Sequence, residues 1–85
     1  MEFSATAIKQ LKKIDKKQQK EILDYLDFDV SPLIDPRSRG KALSGDLKNL
    51  WRYRVGDYRV ICQILDADLI VFAIAIGHRK NIYKK

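Results

Sequence analysis

The chain has 85 residues, 46% hydrophobic and 33% charged, with a net charge of +6 and a pI of about 9.6. That length suits one small domain spanning residues 1–85, and the composition excludes a disordered chain. A single cysteine, Cys62, excludes an internal disulfide and a cysteine-rich zinc site. There is no secretory apolar region, and the longest apolar run, residues 69–76, falls well short of the roughly 20 residues that span a bilayer. A cytoplasmic protein with no membrane partner is the expectation, and the basic balance favours a polyanionic partner.

In chain order, Met1, Glu2 and Phe3 read as the end of a short strand. Ser4 or Thr6 can cap a helix whose apolar positions Ala7, Ile8, Leu11 and Ile14 follow the helical period. Asp15 with Gln18 has the form of a capping box and opens a second helix, with an apolar stripe of Ile22, Leu23, Tyr25 and Leu26 reaching Phe28. Two helices or one bent helix would each make an α-helical hairpin with one apolar face. Residues 31–40 hold both prolines and read as a loop, and residues 41–48 continue irregularly with a turn at Gly45-Asp46. Three strands follow: Leu50–Val55, Tyr58–Leu65 and residues 69–76. Gly56-Asp57 turns the first into the second, and Asp66-Ala67-Asp68 turns the second into the third. The order predicts an α+β fold, an N-terminal α-helical hairpin packed on one face of a small, mainly antiparallel β-sheet.

Strand alternation sorts the side chains into two faces. Trp51, Tyr53, Val55, Tyr58, Val60, Cys62 and Ile64 share the face expected to meet the helices, where Cys62 is a buried structural thiol. Arg52, Arg54, Arg59, Ile61 and Gln63 share the other, which is expected to be open. A Gly-Asp turn sets Arg54 opposite Arg59, and like charges so placed cost about 0.2–1 kcal/mol. A sequence that accepts this cost points to an anion at that place. If Leu65 pairs with Leu69, Arg59 faces Ala75 and Ile61 faces Ala73. Two small residues then sit on the arginine face, and Phe72, Ile74 and Ile76 sit on the other. The same parity carries Arg79 to the arginine face. Arginine suits phosphate because its planar fork binds bidentately and stays charged.

Lys9, Lys12, Lys13, Lys16, Lys17 and Lys20 lie on the polar side of the helical unit, as a solvated face or as contacts to a phosphate backbone. Lys80 joins them as a candidate substrate-binding cation. By contrast, residues 21–35 carry five acids and no basic residue. Histidine–carboxylate metal spacing, GxSxG and a phosphate-binding loop are all missing, so no metal or cofactor is expected. Catalysis would rest on acid–base chemistry and electrostatic stabilisation. His78 is the one side chain of a type that titrates near neutrality, with a turn-shaping role as the alternative. Tyr83 either stacks on a base or anchors the C-terminus.

The runs LWRYRVGDYRVICQI and IGHRKNIY, after a lysine-rich helical hairpin, resemble the RelE/ParE toxin superfamily, most nearly the RelE-like toxins of type II toxin–antitoxin pairs. The resemblance covers nearly the whole chain, and the DYR and GHRxxxY elements carry it together. It implies two helices on an antiparallel sheet, entry into the ribosomal A site and metal-independent cleavage of mRNA. The 2′-OH would attack the adjacent phosphodiester, giving a 2′,3′-cyclic phosphate and a 5′-OH. It also implies a cognate antitoxin that blocks the toxin, with operator DNA bound through the antitoxin. By motif, Arg59 would stabilise the phosphate, Arg79 would serve the leaving group and Tyr83 would orient the base. One departure stands out: Arg52 occupies the place of a lysine that acts as base in the family prototype, and arginine is a poor proton acceptor. Either His78 or another group is then the base, or Arg52 stabilises charge. The resemblance leaves two alternatives, a gyrase poison of the ParE kind and a nuclease-inactive binding module.

Overall fold

The computed structural model describes residues 1–32, 35–43, 50–65 and 70–78. The chain opens with a two-residue strand, β1 (Glu2–Phe3), and then enters helix α1 (Ala5–Lys12). Ser4 makes the transition: its Oγ accepts a hydrogen bond from Ala7 N at 3.0 Å, which satisfies one orphan donor of the first turn. Helix α2 (Lys16–Tyr25) starts in the same way at Asp15, whose Oδ1 accepts from Gln18 N at 3.0 Å. Two separate capped helices therefore form, rather than one bent helix.

The second helix ends in a single π-helical turn, Leu26–Val30, closed by Ser31 N donating to Leu26 O at 2.8 Å. Leu26 and Val30, four residues apart on one face, are both buried in the core, and Phe28 between them points outward, 73% exposed. Phe28 is thus not part of the apolar stripe. Ile8, at 42% exposure, also lies off the buried face, which Ala7 takes instead.

A 3₁₀ turn (Pro36–Ser38) leads to strand β2 (Lys41–Ala42), inside the segment expected to be irregular. Strands β3 (Leu50–Val55) and β4 (Tyr58–Leu65) have the expected bounds, and β5 runs Ile70–His78, two residues longer at its end than expected, with the expected start at residue 69 outside the described residues. The expected turns at Gly45-Asp46 and Asp66-Ala67-Asp68 lie outside the described residues. Gly56 turns the β3–β4 hairpin at φ 58°, a left-handed conformation that glycine adopts without steric cost.

The five strands form one mixed sheet in the order β1-β5-β4-β3-β2, with β1 parallel to β5 and the other pairs antiparallel. Ala7, Ile22, Leu26 and Val30 from the helical layer pack on Tyr53, Val55, Val60, Cys62, Ala73 and Ile76 from the sheet. Each large side chain fully buried there contributes about 1.5–3 kcal/mol. Cys62 is buried within this core, and burial pushes its thiol up to about 12.

Where β1 stops short, α1 covers the edge of β5. Ser4 Oγ donates to Ile74 O at 3.1 Å, and Gln10 Oε1 accepts from Ile76 N at 2.7 Å. Edge backbone groups that would otherwise be open are closed by side chains. The same stretch holds a β-bulge. Ile61 pairs with Ala75 and Cys62 pairs with Ala73, so Ile74 is the extra residue.

Candidate functional site

The β3–β4 register is as the turn predicts: Arg52 opposite Ile61, Arg54 opposite Arg59, Val55 opposite Tyr58. Arg52, Arg54 and Arg59 therefore share the sheet face away from the helices. The β4–β5 register differs from expectation because of the bulge. Leu65 pairs with Ile70, not Leu69, and Arg59 pairs with Gly77. Ala73 crosses to the helix side, where it is fully buried in the core, and Phe72 comes opposite Gln63 on the arginine side. The small neighbours of the arginines are thus Ala75 and Gly77. One inserted residue reverses the parity of everything on one side of it.

The arginine face is also less open than expected. Arg59 is only 8% exposed and Ile61 only 6%, while Arg52 is half-buried and Arg54 exposed. The Arg59 Nη1 makes a long 3.5 Å bond to the carbonyl of its own neighbour, Tyr58. The Nε atoms of Arg52 and Arg59 are both buried with no hydrogen-bond partner among the described residues. A buried unsatisfied donor costs about 1–3 kcal/mol, and more when charged. Two such donors on adjacent strands, beside small residues, form a cradle whose chemistry matches an oxyanion.

His78 is not gathered with them. It pairs with Tyr58, and its ring stands edge-on to the Tyr58 ring at 5.6 Å between centroids. That assigns it to the helix-side parity of β5, opposite to Arg59. Arg79, Lys80 and Tyr83 lie outside the described residues. Lys9, Lys12, Lys13, Lys16, Lys17 and Lys20 are all exposed on the helical layer, with the sheet between them and the arginines. Lys20 is paired with Asp24 at 2.8 Å, which holds its ammonium above the usual lysine range.

Sequence reasoning missed the way the loop before β2 is fixed. Tyr53 Oη donates to Pro36 O at 2.7 Å and Trp51 Nε1 donates to Arg39 O at 2.6 Å. Burial is the main reason the Tyr53 phenol titrates well above the usual range. Gly40, at φ 77°, lies so close to the Arg52 carbonyl and the Trp51 indole that no side chain fits. The Arg39-Gly40-Lys41 backbone therefore lies directly against the outer edge of Arg52's strand. A signal existed in the sequence: aromatics at the alternate positions Trp51 and Tyr53 beside a glycine-ended polar loop.

Two small helices lie on one face of a mixed sheet, and the other face carries two arginines whose buried Nε atoms have no partner among the described residues. The chain matches the family of ParE toxins of type II toxin–antitoxin systems (parDE) over residues 1–83. It is 33% identical over 83 residues to toxin RelE of Mycobacterium tuberculosis, covering 96% of this chain and 82% of that one. Toxin RelG of the same organism is 28% identical over 83 residues, covering 98% and 93%. The fold superposes on the RelBE2 toxin–antitoxin complex of M. tuberculosis with a TM-score of 0.82 at 27% identity, over 91% of this chain and 93% of that one. The RelB–RelE complex of Methanococcus jannaschii gives 0.72 at 26% identity, over 99% and 96%. The chain belongs to the RelE/ParE family of type II toxin–antitoxin toxins.

Proposed function

We propose that this toxin is a ribosome-dependent mRNA endonuclease that needs no metal and is neutralised by a cognate antitoxin. The observation that carries the reading is the pair of buried guanidinium Nε atoms of Arg52 and Arg59, without a partner among the described residues, on one sheet face. In the reaction, the ribose 2′-oxygen attacks the adjacent phosphorus and loses its proton, the bond to the 5′-oxygen breaks, and that oxygen takes a proton. The products are a 2′,3′-cyclic phosphate and a 5′-OH. Negative charge builds on the non-bridging oxygens, and preorganised cationic donors in a dry site stabilise it strongly. Arg59 and Arg52 supply this stabilisation, and exposed Arg54 steers the RNA backbone. Arg79 serves the leaving oxygen and Tyr83 orients the base. Arg52 acts by charge, not as the base. Proton transfer is not assigned to His78 either, because its ring stands against Tyr58 on the other side of the sheet. The lysine face, with Lys9, Lys13, Lys16, Lys17 and Lys20, meets ribosomal phosphates and not the scissile one, and Lys80 lies next to Arg79 in sequence.

The test is induction of the toxin in cells followed by mapping of mRNA 5′ ends. Cuts phased to codons on translated messages are expected, and Arg59→Ala should abolish them at equal expression. Intact mRNA with stalled gyrase and DNA-damage signalling would instead select the gyrase-poison alternative.

A further inference from the structure

Among the described residues, the helical layer leaves part of its sheet face uncovered. The core gathers around Tyr53, Val60 and Ile76, and toward the other end of the same strands Trp51 and Ile64 are only half-buried. There an open groove of about 230 Å³ is lined by Arg37, Ala42, Leu50, Trp51 and Ile64. A cavity of about 150 Å³ is enough to hold benzene, so this one accommodates a large aliphatic or aromatic side chain. Its main wall is rigid, because the Trp51 indole is held to the Arg39 carbonyl at 2.6 Å.

The rim is cationic. Arg37, Arg39 and Lys41 are exposed within five residues, and the described stretch 36–43 contains no acid. The nearest acid in sequence, Asp35, uses Oδ1 to accept from Arg37 N at 3.0 Å. An apolar floor under a cationic rim selects an occupant that combines an apolar side chain with carboxylates. By register Ala42, Trp51 and Ile64 lie on the sheet face opposite Arg52, while Leu50, at the start of β3, is on Arg52's parity.

We propose that this groove seats an apolar side chain from an acidic segment of the cognate antitoxin, with Arg39 and Lys41 pairing its flanking carboxylates. This rests on the reading that an antitoxin binds the chain. It places a holdfast for the antitoxin on the face opposite the arginines, so binding there need not compete with RNA.

Trp51 is the only tryptophan and serves as the reporter. The purified chain is titrated with a short synthetic peptide alternating leucine and glutamate while Trp51 emission is followed. A saturable blue shift is expected. Peptides alternating alanine with glutamate, or leucine with lysine, should bind at least about tenfold more weakly, the factor that burial of one leucine supplies. Ala42→Phe, which fills the groove from an exposed edge strand, should weaken the first peptide by a similar factor. Arg39→Glu with Lys41→Glu should do so without touching the floor. The same variants should weaken binding of the cognate antitoxin. Equal antitoxin binding by Ala42→Phe and by the charge-reversed variant overturns the groove alone. Failure of the antitoxin to bind the unaltered chain removes the partner reading and the groove with it. A concentration-dependent dimer that shifts Trp51 emission without peptide also overturns the proposal, since the occupant is then a second copy.

Discussion

Replacing Arg59 by methionine should stabilise this protein and silence it. Arg59 is 8% exposed, its Nε has no partner among the described residues, and Arg54 stands directly across the strand pair. Methionine keeps an unbranched stem of similar length in the same space while removing the charge. Relief of the unsatisfied donor is worth about 1–3 kcal/mol. Relief of the like-charge pair adds about 0.2–1 kcal/mol. Loss of the weak 3.5 Å bond to the Tyr58 carbonyl offsets little of this. A net gain of about 1–3 kcal/mol is expected, which for a domain of this size raises Tm by roughly 5–15 °C. Urea and thermal unfolding followed by Trp51 fluorescence and far-UV circular dichroism measure it. Sulfate should stabilise the unaltered chain more than the variant, because an anion that binds only the folded cradle shifts its equilibrium. Codon-phased cleavage should disappear in the same variant. A loss of stability beyond about 1 kcal/mol would show that the guanidinium is satisfied in place, and the reasoning from the orphaned donors would fail.

Three further outcomes are expected. Ser4→Ala removes both the cap of α1 and the donor to the bulge carbonyl of Ile74, and should cost about 1–2 kcal/mol in urea unfolding; a loss below a few tenths would show that water replaces both bonds. Gly40→Ala places a methyl group against the Arg52 carbonyl and the Trp51 indole at a left-handed φ, and should cost more than about 1 kcal/mol with a red shift of Trp51 emission. Cys62 titrates near 12 when folded and near 9 as its ordinary value, so the unfolded chain releases this proton first as pH rises. Its contribution is intact below about pH 9 and is lost between about 9 and 12, at no more than about 1.4 kcal/mol per pH unit. Cys62→Ala, compared with the unaltered chain at pH 8 and pH 10.5, should lose less stability over that interval, and a thiol reagent should reach Cys62 only on unfolding.

Local chemistry in the sequence determined much of this fold. The Gly56-Asp57 turn set the β3–β4 register, and with it the shared face of Arg52, Arg54 and Arg59, because a two-residue hairpin leaves one pairing. Ser4 and Asp15 marked the helix starts, because capping is a contact within four residues. The motifs around Tyr58-Arg59 and Gly77-His78 pointed to the family that the comparisons show. What lay beyond local reach depended on packing. The bulge at Ile74 forms where α1 meets the β5 edge through contacts about 70 residues apart in sequence, and it moved Ala73 into the core. His78 kept the Tyr58 side that strand parity gives it, and the register past the bulge set it directly opposite Tyr58. Phe28 points outward because it lies two residues from each of Leu26 and Val30, whose shared face is the one the core takes. The burial of Arg59 was invisible in the alternating pattern, since alternation tells which face a side chain takes and only the surrounding tertiary packing tells how far that face is closed to water.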